Sequence, residues 1–151
     1  MDVQEIDLNK YLGTWYEQAR FDNYFERKCK SNVSAQYTLL KDGSIEVLNS
    51  CMTHSGKLAE VKGTARKANA PDVTFKVTFA PKILRKLPFV WANYSVLYVD
   101  PNYKFALVGE PSKKYLWFLS RTKKADPELF ARVKTIAQEH GYNLSKLIYP
   151  E

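Results

Sequence analysis

The chain has 151 residues, 45% hydrophobic and 26% charged, enough for one domain with a sizeable core, and no Ser/Gly/Pro-rich linker divides it. No apolar run approaches the roughly 18 residues of a membrane-spanning helix. Met1–Glu5 shows neither a basic n-region nor an apolar h-region, so a transmembrane role and a secretory signal within these residues are not expected, while a signal removed earlier stays open.

The net charge of +7 is unevenly spread: no acid lies between Asp72 and Asp100, or between Glu110 and Asp126. Such stretches attract anionic headgroups or polyanions, or simply keep a surface soluble. Cys29 and Cys51 are the only cysteines, and His54 and His140 the only histidines; this donor set does not have zinc-site spacing, and no metal or cofactor is expected.

Asp7–Leu12 reads as a helical turn, after which Gly13 opens a first strand with Trp15, Glu17, Ala19 and Phe21 on one face by the two-residue period. Asn23-Tyr24-Phe25-Glu26-Arg27 breaks the alternation and reads as a loop or one 3₁₀ turn. Asn32–Leu40 places Val33, Ala35, Tyr37 and Leu39 on one face, the half-buried antiparallel pattern. Asp42-Gly43 predicts a type I′ hairpin turn, because glycine supplies positive φ without steric cost. The return strand Ser44–Cys51 aligns Ile45, Val47, Asn49 and Cys51. Leu58–Ala68 follows, with slender Ala59, Val61, Gly63 and Ala65 on one face, then Val73, Phe75, Val77 and Phe79 alternate with polar residues. Pro81–Ala92 mixes cations with large apolar groups at no clean period and reads as a long loop. Tyr94–Val99, Lys104–Gly109 and Tyr115–Arg121 complete the strands.

Eight strands at regular spacing predict an all-β, eight-stranded antiparallel up-and-down barrel, the strand number that closes around one small ligand. Asp126-Pro127 then starts a helix, with Asp as N-cap and Pro at the first helical position. Leu129, Phe130, Val133, Ile136, Ala137 and His140 recur at helical spacing before Gly141, so one α-helix is expected outside the barrel. Leu144–Tyr149 is a candidate edge strand.

Three segments resemble a known family: Tyr11-Leu12-Gly13-Thr14-Trp15-Tyr16-Glu17, Val99-Asp100-Pro101-Asn102-Tyr103 and Tyr115–Thr122 with its Ser120-Arg121 pair. In this order, together with Arg20-Phe21-Asp22, Phe25-Glu26-Arg27 and Leu107-Val108-Gly109-Glu110-Pro111, they resemble the lipocalin family, and within it the bacterial outer-membrane lipoproteins related to apolipoprotein D. The resemblance covers about Asp7 to Pro150. It implies a calyx closed by Trp15 with Arg121 over it and open at the other end, where Asp22–Ser31, His54–Lys57, Pro81–Ala92 and Pro111–Lys114 ring the mouth. It also implies a hydrophobic ligand, and a lipid-anchored position at the periplasmic face of the bacterial outer membrane, or else secretion.

Within such a calyx the alternation names the expected ligand-facing residues. They are Ala19 and Phe21 on the first strand, Val33, Ala35 and Tyr37 on the second, Val47 and Asn49 on the third, and Val61 and Ala65 on the fourth. Phe75 and Val77 follow on the fifth, Tyr94, Val96 and Tyr98 on the sixth, and Trp117 and Leu119 on the eighth. The small residues leave room for an acyl chain, whose burial gains roughly 0.8 kcal/mol per CH₂; the alternative is a tapered barrel filled by the aromatics opposite. Lys82, Arg85, Lys86, Arg27 and Lys113 are the expected rim cations for a headgroup. The apolar residues beside Lys82–Lys86 suit a membrane surface, a cork for the barrel or a homodimer contact.

Cys29 and Cys51 share side-chain parity, and a disulfide is expected. Perfect register from Asp42-Gly43 leaves them about five residues apart, so the pairing needs a bulge or a bent loop start. A fatty acid or lysophospholipid carrier without catalysis is the leading expectation. The alternative is an isomerase-like enzyme using a free Cys51 thiol, for which no inward histidine is at hand. Nucleic acid is not an expected partner, because the tyrosines alternate inward rather than forming an exposed stacking platform.

Overall fold

The computed structural model describes residues 3–23 and 26–150; Tyr24 and Phe25 of the expected first loop lie outside the described residues. Asp7 caps a single turn, α1 (Leu8–Tyr11), by accepting from the Asn9 N–H. The strands follow as β1 (Gly13–Phe21), β2 (Cys29–Leu39), β3 (Ile45–Thr53), β4 (Leu58–Ala70), β5 (Val73–Thr78), β6 (Ala92–Val99), β7 (Phe105–Gly109) and β8 (Leu116–Ser120), then α2 (Pro127–Glu139) and a two-residue β9 (Leu147–Ile148).

Every pairing is antiparallel, β1 to β8 pair in chain order, and β1 also pairs with β8, so the sheet closes into an eight-stranded up-and-down barrel. Only Gly13–Tyr16 of β1 meet β2; further along, Arg20 and Phe21 pair instead with β9. The wall therefore parts near one end.

Two cores flank the sheet. Inside lie Trp15, Tyr37, Ile45, Val47, Phe75, Val77, Val96, Val99 and Val108 among others. Outside, α2 presses Val133 and Ala137 onto Ala19, Phe21, Leu97, Phe105, Leu107, Leu116 and Phe118. β7 is buried along its whole length, since α2 covers one face and the barrel interior the other. The helix begins as expected, with Asp126 accepting from Glu128 N–H.

Two bulges alter the expected faces. The β1–β8 register shifts between Glu17 and Ala19, because Gln18 turns outward: its Nε2 donates to the Thr122 and Lys123 carbonyls, and its Oε1 accepts from Ala125 N–H. One extra residue reverses every later side chain. Ala19 and Phe21, expected inside, therefore pack in the outer core, and Arg20 turns inward. A second shift between Val96 and Tyr98 keeps Val96 and Val99 inside but puts Leu97 and Tyr98 against the outer core, which corrects the inward reading of Tyr98.

The first hairpin also differs from expectation. Gly43 N–H donates to Leu40 O at 3.1 Å, and of the turn residues Gly43 alone has positive φ, 87°. This is a type I turn closed by a left-handed glycine rather than a type I′ pair.

Candidate functional site

The closed end is built by Trp15, which is fully buried and donates from Nε1 to Tyr11 O at 2.8 Å. The Arg121 guanidinium lies 3.8 Å from its ring centroid and is held by the Thr14, Lys10 and Tyr103 carbonyls. A cation over a buried indole, with its N–H groups bonded to backbone, makes a lid for the core. A hollow of about 10 Å³ remains just above, bordered by Leu8, Tyr11, Ala65 and Phe75 among others. It is too small for an organic ligand, so Ala65 and Phe75 belong to the floor rather than to the larger space above.

That space is a cavity of about 480 Å³, within the usual range for small-molecule sites. Ten of the expected residues line it: Val33, Ala35, Tyr37, Val47, Asn49, Val61, Val77, Tyr94, Trp117 and Leu119. Val96 is buried in the inner core below it. The cavity reaches solvent past Lys28, Val90, Ala92 and Asn93, so the first and fifth connections do border its mouth.

Phe79 lines the cavity as well, although β5 ends one residue earlier. A Cβ built on Gly63 would fall 2.5 Å from both Phe79 Cδ1 and Thr78 O. The missing side chain on β4 is thus the space that the Phe79 ring and the β5 backbone occupy. Phe79 was not among the expected ligand-facing residues, although it shares the face of Phe75 and Val77 in the alternation Val73–Phe79.

Three phenols form the polar part of the lower wall. Tyr94 Oη lies 2.5 Å from Tyr11 Oη and 3.0 Å from Tyr37 Oη, so each hydroxyl finds a protein partner. Burial pushes Tyr37 up to about 12 and Tyr11 and Tyr94 well above the ordinary phenol value. All three are neutral donors and acceptors.

A charged cluster lies higher on the wall. Glu17 and Glu26 both line the cavity, with the buried Arg20 between them: Nη1 is 2.9 Å from Glu17 Oε2 and Nε is 3.6 Å from Glu26 Oε2. Trp117 Nε1 donates to Glu26 Oε1 at 2.7 Å, and Asn23 Nδ2 donates to the same atom at 3.0 Å. Burial first, then the Glu26 charge and a hydrogen bond to it, hold the Glu17 carboxyl well above the ordinary carboxylate range, while Arg20 pulls the other way. Glu17 is readable from alternation as an inward carboxylate without a visible partner. Arg20 is not, because strict alternation sends it outward, and Glu26 belongs to a loop with no period at all.

None of the expected rim cations Lys82, Arg85, Lys86, Arg27 and Lys113 lines the cavity. Arg27 pairs with Asp22 at 3.1 Å on an exposed surface. Arg85 Nε is bonded to Ala80 O, and Lys82 is close enough to the β2–β3 turn to help lower the Asp42 carboxyl, after that carboxyl's bonds to Ser44. Lys113 Nζ lies beside Gly141 past the end of α2. Lys28, on the first loop, is the cation that lines the cavity itself.

Cys29 and Cys51 form a disulfide, with Sγ atoms 2.07 Å and Cα atoms 5.6 Å apart. The bulge required by the register is present twice, between Cys29 and Ser31 and between Ser31 and Ser34, with Asn32 at a φ of 52°. These shifts set Cys29 opposite Thr53, two residues along from Cys51. No free cysteine remains among the described residues, so the free-thiol enzyme loses its nucleophile.

A lipocalin-like domain model matches residues 6–151. Temperature-induced lipocalin-1 of Arabidopsis thaliana is 40% identical over 148 residues, covering 96% of this chain and 78% of its own. The outer membrane lipoprotein Blc of Escherichia coli K12 is 37% identical over 149 residues, covering 97% and 80%. Among solved structures, the cockroach allergen Per a 4 superposes with a TM-score of 0.77 at 20% identity, covering 100% of this chain and 91% of that one, a likeness of fold. A closed calyx with a tryptophan–arginine floor, matched along nearly its whole length by these sequences, belongs to the lipocalin family.

Proposed function

We propose that this protein binds and carries a single-chain lipid, a fatty acid or a lysophospholipid, with its chain in the cavity and its headgroup toward the basic mouth. The observation that carries this reading is the cavity itself: about 480 Å³ open at one end, walled mainly by small and apolar side chains. Nothing in the reading calls for catalysis. Lys28 at the opening and Lys82, Arg85, Lys86, Arg27 and Lys113 around it supply a positive field for a phosphate or carboxylate. Native mass spectrometry of the purified protein, followed by displacement of a fluorescent fatty acid, tests the reading. Lipid copurification and displacement by lysophospholipid support it; an empty barrel that takes up no probe overturns it.

The connection between β5 and β6 supports a membrane-surface contact. Ile83 is 86% and Phe89 81% exposed, flanked by Lys82 and Lys86, a pairing of apolar and cationic groups suited to an anionic bilayer. Trp91 anchors the segment by stacking on Arg66 and donating to Arg85 O. The disulfide suits an oxidising compartment, and together with the likeness to an outer membrane lipoprotein it supports a lipid-anchored periplasmic position, or secretion. Fractionation of the native source tests that placement.

A further inference from the structure

We propose that Glu17, Arg20 and Glu26 form a second, polar subsite in the cavity wall that takes the protonated amine of a long-chain amine. The inference rests on the cavity being the lipid site and adds a ligand class whose polar end lies inside the barrel rather than at its mouth.

The cluster is unbalanced. Two carboxyl groups face one guanidinium, and all three side chains are largely or wholly withdrawn from solvent, with Glu17 and Arg20 at 3% and 5% side-chain exposure. Arg20 is committed to Glu17 through Nη1 and to the Glu26 carbonyl through Nη2. Its Nε and Glu26 Oε2 are buried without a hydrogen-bond partner among the described residues. These two atoms face each other 3.6 Å apart as an ion pair without a hydrogen bond, and two buried carboxyl groups beside a single cation raise the cost of ionising both. Burial and the neighbouring Glu26 favour a proton on Glu17.

An ammonium group can replace that proton. It brings three donors and one positive charge to a site offering two carboxylates that already line a mainly apolar chamber. The titratable groups around Glu17 are Glu26 and Arg20, with Tyr37 near enough to feel the Glu26 charge. A free carboxylate in the same place meets like charge from Glu26, so the subsite disfavours it.

The binding step balances simply: the ligand enters as R–NH₃⁺, and Glu17 releases its proton to the buffer. Dodecylamine, dodecanol and dodecanoate, which share a chain and differ only at the polar end, separate the terms. Calorimetric titration of the protein across a pH series from about 5 to 8, in paired buffers of different ionisation enthalpy, reads both affinity and proton release. Dodecylamine is expected to bind at least about tenfold more tightly than dodecanol, with proton release that grows toward the acid end of the series. Glu17→Gln keeps shape and an acceptor for Arg20; it is expected to abolish both the proton release and the preference for dodecylamine over dodecanol.

Absence of proton release by the wild-type protein, or an amine preference that survives Glu17→Gln, overturns the subsite. The wild-type measurement stands even where the variant folds poorly. Binding of dodecanol and dodecanoate without amine preference removes the subsite and leaves the lipid-carrier reading in place. Failure of all three to enter the cavity removes both.

Discussion

Trp15 and Arg121 show how one residue pair can hold an end of a barrel. The indole is fully buried, bonded to Tyr11 O and covered by the guanidinium. Trp15→Ala is expected to cost about 3–5 kcal/mol in urea unfolding, with the order of lipid affinities unchanged, because the cavity lies above this floor. Equal stability with altered selectivity contradicts that division. Glu17 gives the opposite kind of residue, one whose charge is held back. Its folded-state value lies above 4.5, first through burial and then through Glu26. The native state therefore holds its proton where the unfolded chain has lost it. Its contribution to stability is complete below the unfolded value and is lost as pH rises through the folded one. Melting temperature is expected to decline more steeply with rising pH above 4.5 in the wild-type protein than in Glu17→Gln, measured by circular dichroism in one buffer series.

At the scale of strands and loops, small irregularities decide which side chains meet. The β1 bulge turns Arg20 into the barrel, and the bulges of β2 bring Cys29 within reach of Cys51. The disulfide closes a loop with a sequence separation of 22. Cys29→Ser with Cys51→Ser is expected to lower stability by about 3 kcal/mol, on a chain-entropy account of the cross-link. The urea midpoint of the double variant, compared with that of the oxidised, disulfide-bonded wild type, checks this. At Gly63 β5 leaves no room for a side chain, since a Cβ would fall 2.5 Å from Thr78 O. Backbone cannot yield there as a flexible side chain does, so Gly63→Ala is expected to lower the melting temperature and widen the mouth by displacing Phe79. Faster entry of a fluorescent fatty acid reports the second effect.

For the whole molecule, the lipid-carrier reading divides the surface into separable parts. Ala35 lines the cavity but is not part of the fully buried core, so Ala35→Trp is expected to reduce lipid affinity at least about tenfold with little change in melting temperature. Ile83→Ser with Phe89→Ser is expected to abolish cosedimentation with anionic vesicles and to leave fatty-acid displacement unaltered; the reverse pattern places the lipid site on the loop. Much of this architecture is local in origin and was legible residue by residue. The alternation from Val33 to Leu39 and from Val73 to Phe79, the cap at Asp126 and the glycine at position 43 each act on near neighbours, so they announce strands, a helix and a turn directly. Ten of the sixteen expected ligand-facing residues meet around the cavity for the same reason. The displaced residues have a different cause. Gln18 is an ordinary strand residue whose bulge is stabilised by bonds to Thr122, Lys123 and Ala125, and a two-residue period carries no trace of partners so distant. The sequence by itself determined a closed barrel, and its resemblance to the lipocalins implied the tryptophan floor. The tertiary structure decided which charges point into it, because one extra residue in a strand reverses every face that follows and only contacts far along the chain hold that residue in place.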